Sequence, residues 1–406
     1  MGSVPRMGGG DPMKGYKPAL DGVRALAVIA VLVFHGEIGA PGGFLGVSVF
    51  FTLSGYLITT LLLAEHSSTG TISLRGFYGR RLRRLLPAAL LCFALVLALG
   101  FLWSATQRRE LPRDIIAALA DVANWRFAFT TTSYQDLFIG APSPVAHFWS
   151  LAIEEQFYVV LPLVAVVALR RSRRTFALTA WLLLAASIAA TVMTSDRDLL
   201  YNGTHTRAAE LLCGVVLALL PLRRRLAQRV LRIASPVALA ALIVVVLKAT
   251  ITDAWLYEGG LIAVGICSAV MIGGIAHGGP LARALGNPTL AALGRVSYGL
   301  YLFHWPLFLV LTPERVGFGG VGLFVVRVIA SLAAALVSYR IIEQPIRMRR
   351  RLVAPHVAGG LHGGRGPARA GCVRRGHRVH AESGSRCDVG RRRRGGSRRR
   401  RAECRR

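Results

Sequence analysis

Charge is scarce in this chain of 406 residues: Asp, Glu, Lys and Arg together make up 17%. A soluble globular protein carries about 25%, so too few charged side chains exist to cover a water-facing surface. Cysteine is scarce as well, with six in the whole chain, which excludes a small disulfide scaffold. Acidic residues number only 20 against 50 Lys and Arg, a formal net charge of +30. That balance alone would suit a nucleic-acid binder, but its distribution excludes one. Residues 347–406 hold 20 basic and 3 acidic residues, and most of the remaining excess sits in short loops between apolar runs. The sequence also has no internal repeat and no useful strand-period stretch. What it has in abundance is apolar surface, with 53% hydrophobic residues and a mean hydropathy of +0.48. The fold class is therefore an all-α integral membrane protein whose solvent is the lipid bilayer.

A helix needs about 20 mostly apolar residues to cross the hydrocarbon. Ten runs qualify, at about 20–38, 44–64, 86–103, 148–169, 175–193, 207–221, 233–250, 260–276, 295–312 and 321–342, of which the sixth is the shortest. They predict a bundle of about ten transmembrane helices over 19–346, after a cytoplasmic N-terminal segment of 1–18. Loop charges fix the orientation, because cytoplasmic loops are rich in Lys and Arg. Arg80, Arg81, Arg83 and Arg84, then Arg170, Arg171, Arg173 and Arg174, then Arg223–Arg225, Arg283, and Arg347 with Arg349–Arg351 all fall on one side if both termini are cytoplasmic. The opposite loops hold Glu37, Asp136, Asp196, Asp198, Asp253, Glu258 and Glu314, although Arg108, Arg109 and Arg113 weaken the contrast in the loop at 104–147. A multi-pass plasma-membrane protein follows. No cleavable signal peptide is expected, since residues 1–18 are polar and the first apolar run is long enough to remain a span. Cys92, Cys213 and Cys267 lie within spans and read as small buried residues.

The segment 347–406 has another character. From Leu352 it consists mostly of Arg, Gly, Ala, His and Ser, with Arg391–Arg394 and Arg398–Arg401 as uninterrupted basic runs. Such a low-complexity tail is expected to be disordered. It reads either as a polybasic segment lying on anionic lipid or, the favoured reading, as the out-of-frame translation of a GC-rich gene. Its cysteines and histidines therefore receive no metal-site reading, and no metal is expected elsewhere.

Ionisable residues inside spans are costly and usually functional. Arg24 and His35 lie eleven residues apart in the first span; at 100° per residue they share one helix face, about 16 Å apart along the axis. That face would be a polar track across most of the bilayer. Arg81 and Arg84, three apart, form a pair suited to phosphate groups. Glu154 and Glu155 are adjacent inside the fourth run, about 100° apart, so only one is expected to face the track. Ser297, Tyr301 and His304 fall at i, i+4 and i+7, a polar stripe on the ninth helix. Gly46, Ser48, Ser54 and Gly55 in the second suit close helix approach and interhelical hydrogen bonds. Glu343-Gln344-Pro345 reads as a helix stop near the basic cluster. Each residue also has a bland reading: Arg24 as a snorkelling anchor, His35 as a packing residue, the arginines as orientation signals.

These motifs, in order, resemble the membrane-bound acyltransferase-3 family, of the O-acetyltransferase type that modifies cell-surface glycans. The resemblance covers roughly 17–350 and rests on Leu-Asp-Gly-x-Arg with His35, Gly-Gly-Phe-Leu-Gly-Val-x-Val-Phe-Phe, Phe-Tyr-x-Arg-Arg, Trp-Ser-Leu-Ala-Ile-Glu-Glu-Gln-Phe-Tyr, Ser-Tyr-Gly-Leu-Tyr-Leu-x-His and Glu-Gln-Pro. It implies that cytoplasmic acyl-CoA, usually acetyl-CoA, donates an acyl group to a hydroxyl of an extracytoplasmic glycan or glycolipid. Arg24 and His35 match the family's Arg-x10-His pair, Arg81 and Arg84 its Arg-x-x-Arg linked to the acyl donor, and Glu154, Glu155, Tyr301 and His304 further motif positions. Ser48 departs from the pattern, where many relatives have Asp. Some larger relatives continue into another span and an external esterase-like domain; here the basic tail follows instead, which reads as a short member or a truncated long one. His35 is expected either to deprotonate the acceptor hydroxyl or to carry the acyl group transiently, with Glu154 or Glu155 orienting the imidazole. A glycan-precursor transporter or flippase, or an inactive truncated relative, is the alternative.

Overall fold

The structure, a computed structural model, describes residues 16–129, 142–222 and 225–349. The N-terminal residues 1–15, Asp136, Arg223, Arg224 and the tail from Arg350 lie outside the described residues. All ten apolar runs fold as helices: α1 (Pro18–His35), α2 (Gly46–Thr69), α3 (Leu74–Ala98), α4 (Phe148–Leu169), α5 (Arg173–Met193), α6 (Thr204–Leu219), α7 (Arg225–Lys248), α8 (Leu261–Ala276), α9 (Pro288–Val310) and α10 (Gly320–Ser338). Their boundaries follow local chemistry. Pro18 and Pro288 open α1 and α9, and Ser73 and Ser172 cap α3 and α5 through their hydroxyls. Gly70, at φ 74°, closes α2 in the left-handed region. Glu65 then ties the α2–α3 turn by accepting from Ser73 N at 2.9 Å and pairing with Arg80 at 3.0 Å.

Seven of the described helices are long and apolar enough to cross a membrane: α1, α2, α4, α5, α7, α10, and α8 with its preceding turn. The other three of the ten runs fall short for identifiable reasons. α3 starts twelve residues before the apolar run and carries the whole Arg80–Arg84 cluster on its helix, α6 has only 16 residues, and α9 bears its polar stripe. A second difference concerns Glu343. The chain does not stop there but continues through a π-turn (Tyr339–Glu343) into a helix at Gln344–Arg349, and Glu343 is buried, accepting from Ser338 Oγ at 3.3 Å. Proline is tolerated because it stands at the start of that new helical segment, where its missing N–H costs nothing.

α1 packs along α9, and α2 along α6. The second contact is backbone on backbone: a Cβ on Gly55 would stand 1.9 Å from Leu211 O, and one on Gly214 1.9 Å from Thr52 O. α2 and α6 can approach this closely only through glycine. The peripheral helices present apolar side chains outward, with Val192 of α5 82%, Val237 of α7 69% and Ile329 of α10 62% exposed. Such faces belong against lipid. In the segment between α3 and α4, Arg113 and Arg126 pair with Glu110, and Arg126 also with Asp114, which offsets part of the excess basic charge there.

Candidate active site

Three cavities follow one another along α1. The first, about 610 Å³, is lined by Arg24, Arg81, Arg84, Ser54, Glu154 and Tyr301 among others. The second, about 360 Å³, is lined by His35, His147, Trp149, Tyr201, Tyr301 and Trp305 among others. The third, about 1630 Å³, takes in His35, Glu37, Trp305, Phe308 and Arg327 and reaches Pro313 and the first residue of α10, Gly320. Val47 and Tyr301 border both the first and second; His35 and Trp305 border both the second and third. Arg24 and His35 therefore face cavities in the same series, as their common helix face predicts.

The first cavity is basic with one carboxylate. Arg24 Nη1 lies 3.4 Å from Asp21 Oδ1, and Asp21 in turn accepts from Tyr16 OH at 2.7 Å. Arg81 stacks over the ring of Tyr158 at 4.7 Å, which orders its guanidinium at the cavity wall. Glu154 accepts from Ser54 Oγ at 2.7 Å, and Tyr158 OH donates to the same hydroxyl at 2.9 Å. Glu155 lines none of the three cavities, so the adjacent carboxylates separate as their 100° offset requires. Gln156, next along, donates to Asp121 O at 2.6 Å and to Asn124 Oδ1 at 2.9 Å. This pins the connecting helix Ala123–Phe129 to α4. At that joint Asp121 has φ 55°, and burial pushes its carboxyl up to about 6.

Around the second cavity the α9 stripe meets α1. His35 Nδ1 lies 2.9 Å from His304 Nε2, with the rings stacked at a centroid distance of 5.0 Å. His304 is completely buried, and its Nδ1 faces Tyr301 O one turn back. Tyr301 OH donates to His147 O at 3.0 Å and sits 2.6 Å from Ser150 Oγ. His147, just before α4, is 3% exposed, and neither ring nitrogen reaches a partner at hydrogen-bonding geometry. The sequence reading passed over it as a site residue; its only signal was a histidine immediately ahead of an apolar run. Among the described residues His35 meets His304, whereas Glu154 is held by Ser54 at the first cavity.

A second buried cluster was also missed. Arg207 and Glu210, 2% and 1% exposed at the side chain, pair at 3.2 Å on α6. Ser48 Oγ donates to Glu210 Oε1 at 3.0 Å, and Arg207 lies over the rings of Phe51, Trp149 and Tyr201 at 5.0–5.6 Å. Two charges three apart opening a short apolar run were the available signal. The Ser48 departure also acquires a structural context, since its hydroxyl is bound into this pair.

A family model described as an acyltransferase domain matches residues 17–341. The chain belongs to this acyltransferase family. YrhL of Bacillus subtilis is 38% identical over 354 residues, an alignment covering 82% of this chain and 55% of the relative. The peptidoglycan O-acetyltransferase OatA of Listeria monocytogenes is 36% identical over 348 residues, covering 82% and 56%. The O-acetyltransferase OatA of Staphylococcus aureus is 34% identical over 349 residues, covering 82% and 58%. The chain thus spans little more than half the length of the relatives it matches. No solved structure matches it.

Proposed function

We propose that this chain transfers an acyl group, acetyl in the simplest case, from cytoplasmic acyl-CoA to a hydroxyl of a cell-wall glycan on the opposite face of the membrane. The observation that carries this reading is the series of cavities bordered by shared residues, basic at the Arg81/Arg84 end and with His35 between its second and third members. Arg81 and Arg84 suit the phosphates of CoA, because guanidinium groups one turn apart offer several donors to anionic oxygens. Arg24 continues the basic wall toward His35. The thin pantetheine arm follows that wall past Val47 and Tyr301, bringing the thioester toward the second cavity. The acceptor enters through the third cavity, where Trp305 offers a flat apolar face to a sugar ring and Arg327, over the Phe308 ring at 5.3 Å, offers a cation. His35 takes the proton of the attacking hydroxyl. The names of the relatives favour a peptidoglycan acceptor, and the basic loop pattern favours both termini in the cytoplasm.

The test is release of free CoA and formation of an acetyl ester by the purified full chain, given acetyl-CoA and a muropeptide acceptor. Both products should form in equal amount, and both should fall by at least about 10²-fold in His35→Ala present at the same membrane level. Full transfer by that variant, or acceptor movement across vesicles without CoA release, would overturn it.

A further inference from the structure

The hydrogen-bond chain at the second cavity assigns protons. His304 Nδ1 faces a backbone carbonyl, which only accepts, so that nitrogen carries the N–H. A neutral imidazole has one N–H and one lone pair, so the lone pair of His304 is on Nε2. That atom lies 2.9 Å from His35 Nδ1, which must then be the donor. The lone pair of His35 falls on Nε2. We propose that His304 is a positioning residue whose lone pair holds His35 as the Nδ1–H tautomer, making Nε2 of His35 the general base of acyl transfer. This rests on the acyltransfer reading above.

The arrangement is a neutral counterpart of the carboxylate that orients a catalytic histidine in serine proteases. In the reaction the acceptor oxygen bonds to the thioester carbonyl carbon as its proton moves to His35 Nε2. The C–S bond then breaks, and the departing thiolate takes that proton to leave as the free thiol. Throughout, His35 Nδ1–H keeps donating to His304, so the transient imidazolium is held by a lone pair backed by the dipole of Tyr301 C=O. His147 and Tyr301 also face this pocket at ring distances of 5.9 and 5.3 Å from His304. A lone pair on His304 Nε2 is the element that separates the two tautomers of His35.

The experiment compares His304→Gln with His304→Leu in the purified full chain. The amide oxygen of glutamine can accept from His35 Nδ1–H; leucine cannot. Steady-state CoA release gives kcat and KM for acetyl-CoA, and thermal unfolding of the solubilised protein reports folding. The expected result is a fall in kcat of about 10³-fold or more for His304→Leu, near the cost of a wrong imidazole tautomer, with KM changed less than threefold. His304→Gln should stay within about tenfold of the parent. Equal losses in both variants, a kcat retained by His304→Leu, or a loss confined to KM would overturn the relay while leaving acyl transfer standing. Absence of CoA release by the parent chain, or full activity of His35→Ala, would overturn acyl transfer and the relay with it.

Discussion

Two of the buried polar clusters among the described residues differ in what they face. The His35–His304 pair is open to space, because His35 borders both the second and the third cavity. The Arg207–Glu210 pair is closed off, its charges set against each other and roofed by Phe51, Trp149 and Tyr201. A group that exchanges protons must reach substrate and hold a lone pair toward it; a group that fixes helix position needs only an internal partner. The comparison separates chemistry from scaffolding in a setting where both look alike as polar residues in apolar helices.

The sharpest way to break the comparison is to remove one member from each side. His35→Ala should lower transfer by about 10²–10⁴-fold, the usual share of general-base catalysis, while membrane level and unfolding midpoint stay near those of the parent. Arg207→Leu should do the reverse. Leaving Glu210 unpaired costs about 3–5 kcal/mol, so little folded protein should accumulate, and Arg207→Leu with Glu210→Leu should restore much of it. Western blotting of membranes with activity per mole of protein distinguishes the two patterns. If Arg207→Leu folds normally and is inactive, the closed cluster is chemical after all.

Smaller effects sharpen the map of the donor side. Arg81→Ala and Arg84→Ala should each raise KM for acetyl-CoA about tenfold, the scale of a lost charge-assisted hydrogen bond, with kcat little changed. A kcat defect at constant KM would remove the arginines from phosphate binding. The smallest effect concerns Asp121. Its carboxyl, raised to about 6 by burial, contributes stability that is fully present below the ordinary aspartate range and lost as pH rises through about 6. Asparagine tolerates the positive φ better and carries no charge. Asp121→Asn should therefore raise the unfolding midpoint more at pH 7.5 than at pH 4; an equal rise at both would assign the gain to the backbone alone.

How much of this was legible in the sequence depended on whether one helix or two were needed. Arg24 and His35 share a helix, so angle arithmetic alone placed them on one face. The Ser297, Tyr301, His304 stripe was equally readable, but its meeting with His35 required the pairing of α1 with α9, which no local pattern encodes. The separation of Glu154 from Glu155 was legible as an angle, whereas the choice between them came from Ser54 on α2. Arg207 and Glu210 escaped because attention to long apolar runs undervalues a 16-residue helix. Glu343 was misjudged because proline usually ends a helix, and here it begins the next one.

The central claim is passage of the acyl group through the protein, past Val47 and His35, from one face of the membrane to the other. Proteoliposomes with a muropeptide acceptor sealed inside and acetyl-CoA supplied only outside test it directly. Acetyl ester should appear on the enclosed acceptor with CoA released outside, and both should be lost when Val47→Trp fills the junction of the first two cavities. Esterification only when donor and acceptor share a compartment would contradict it.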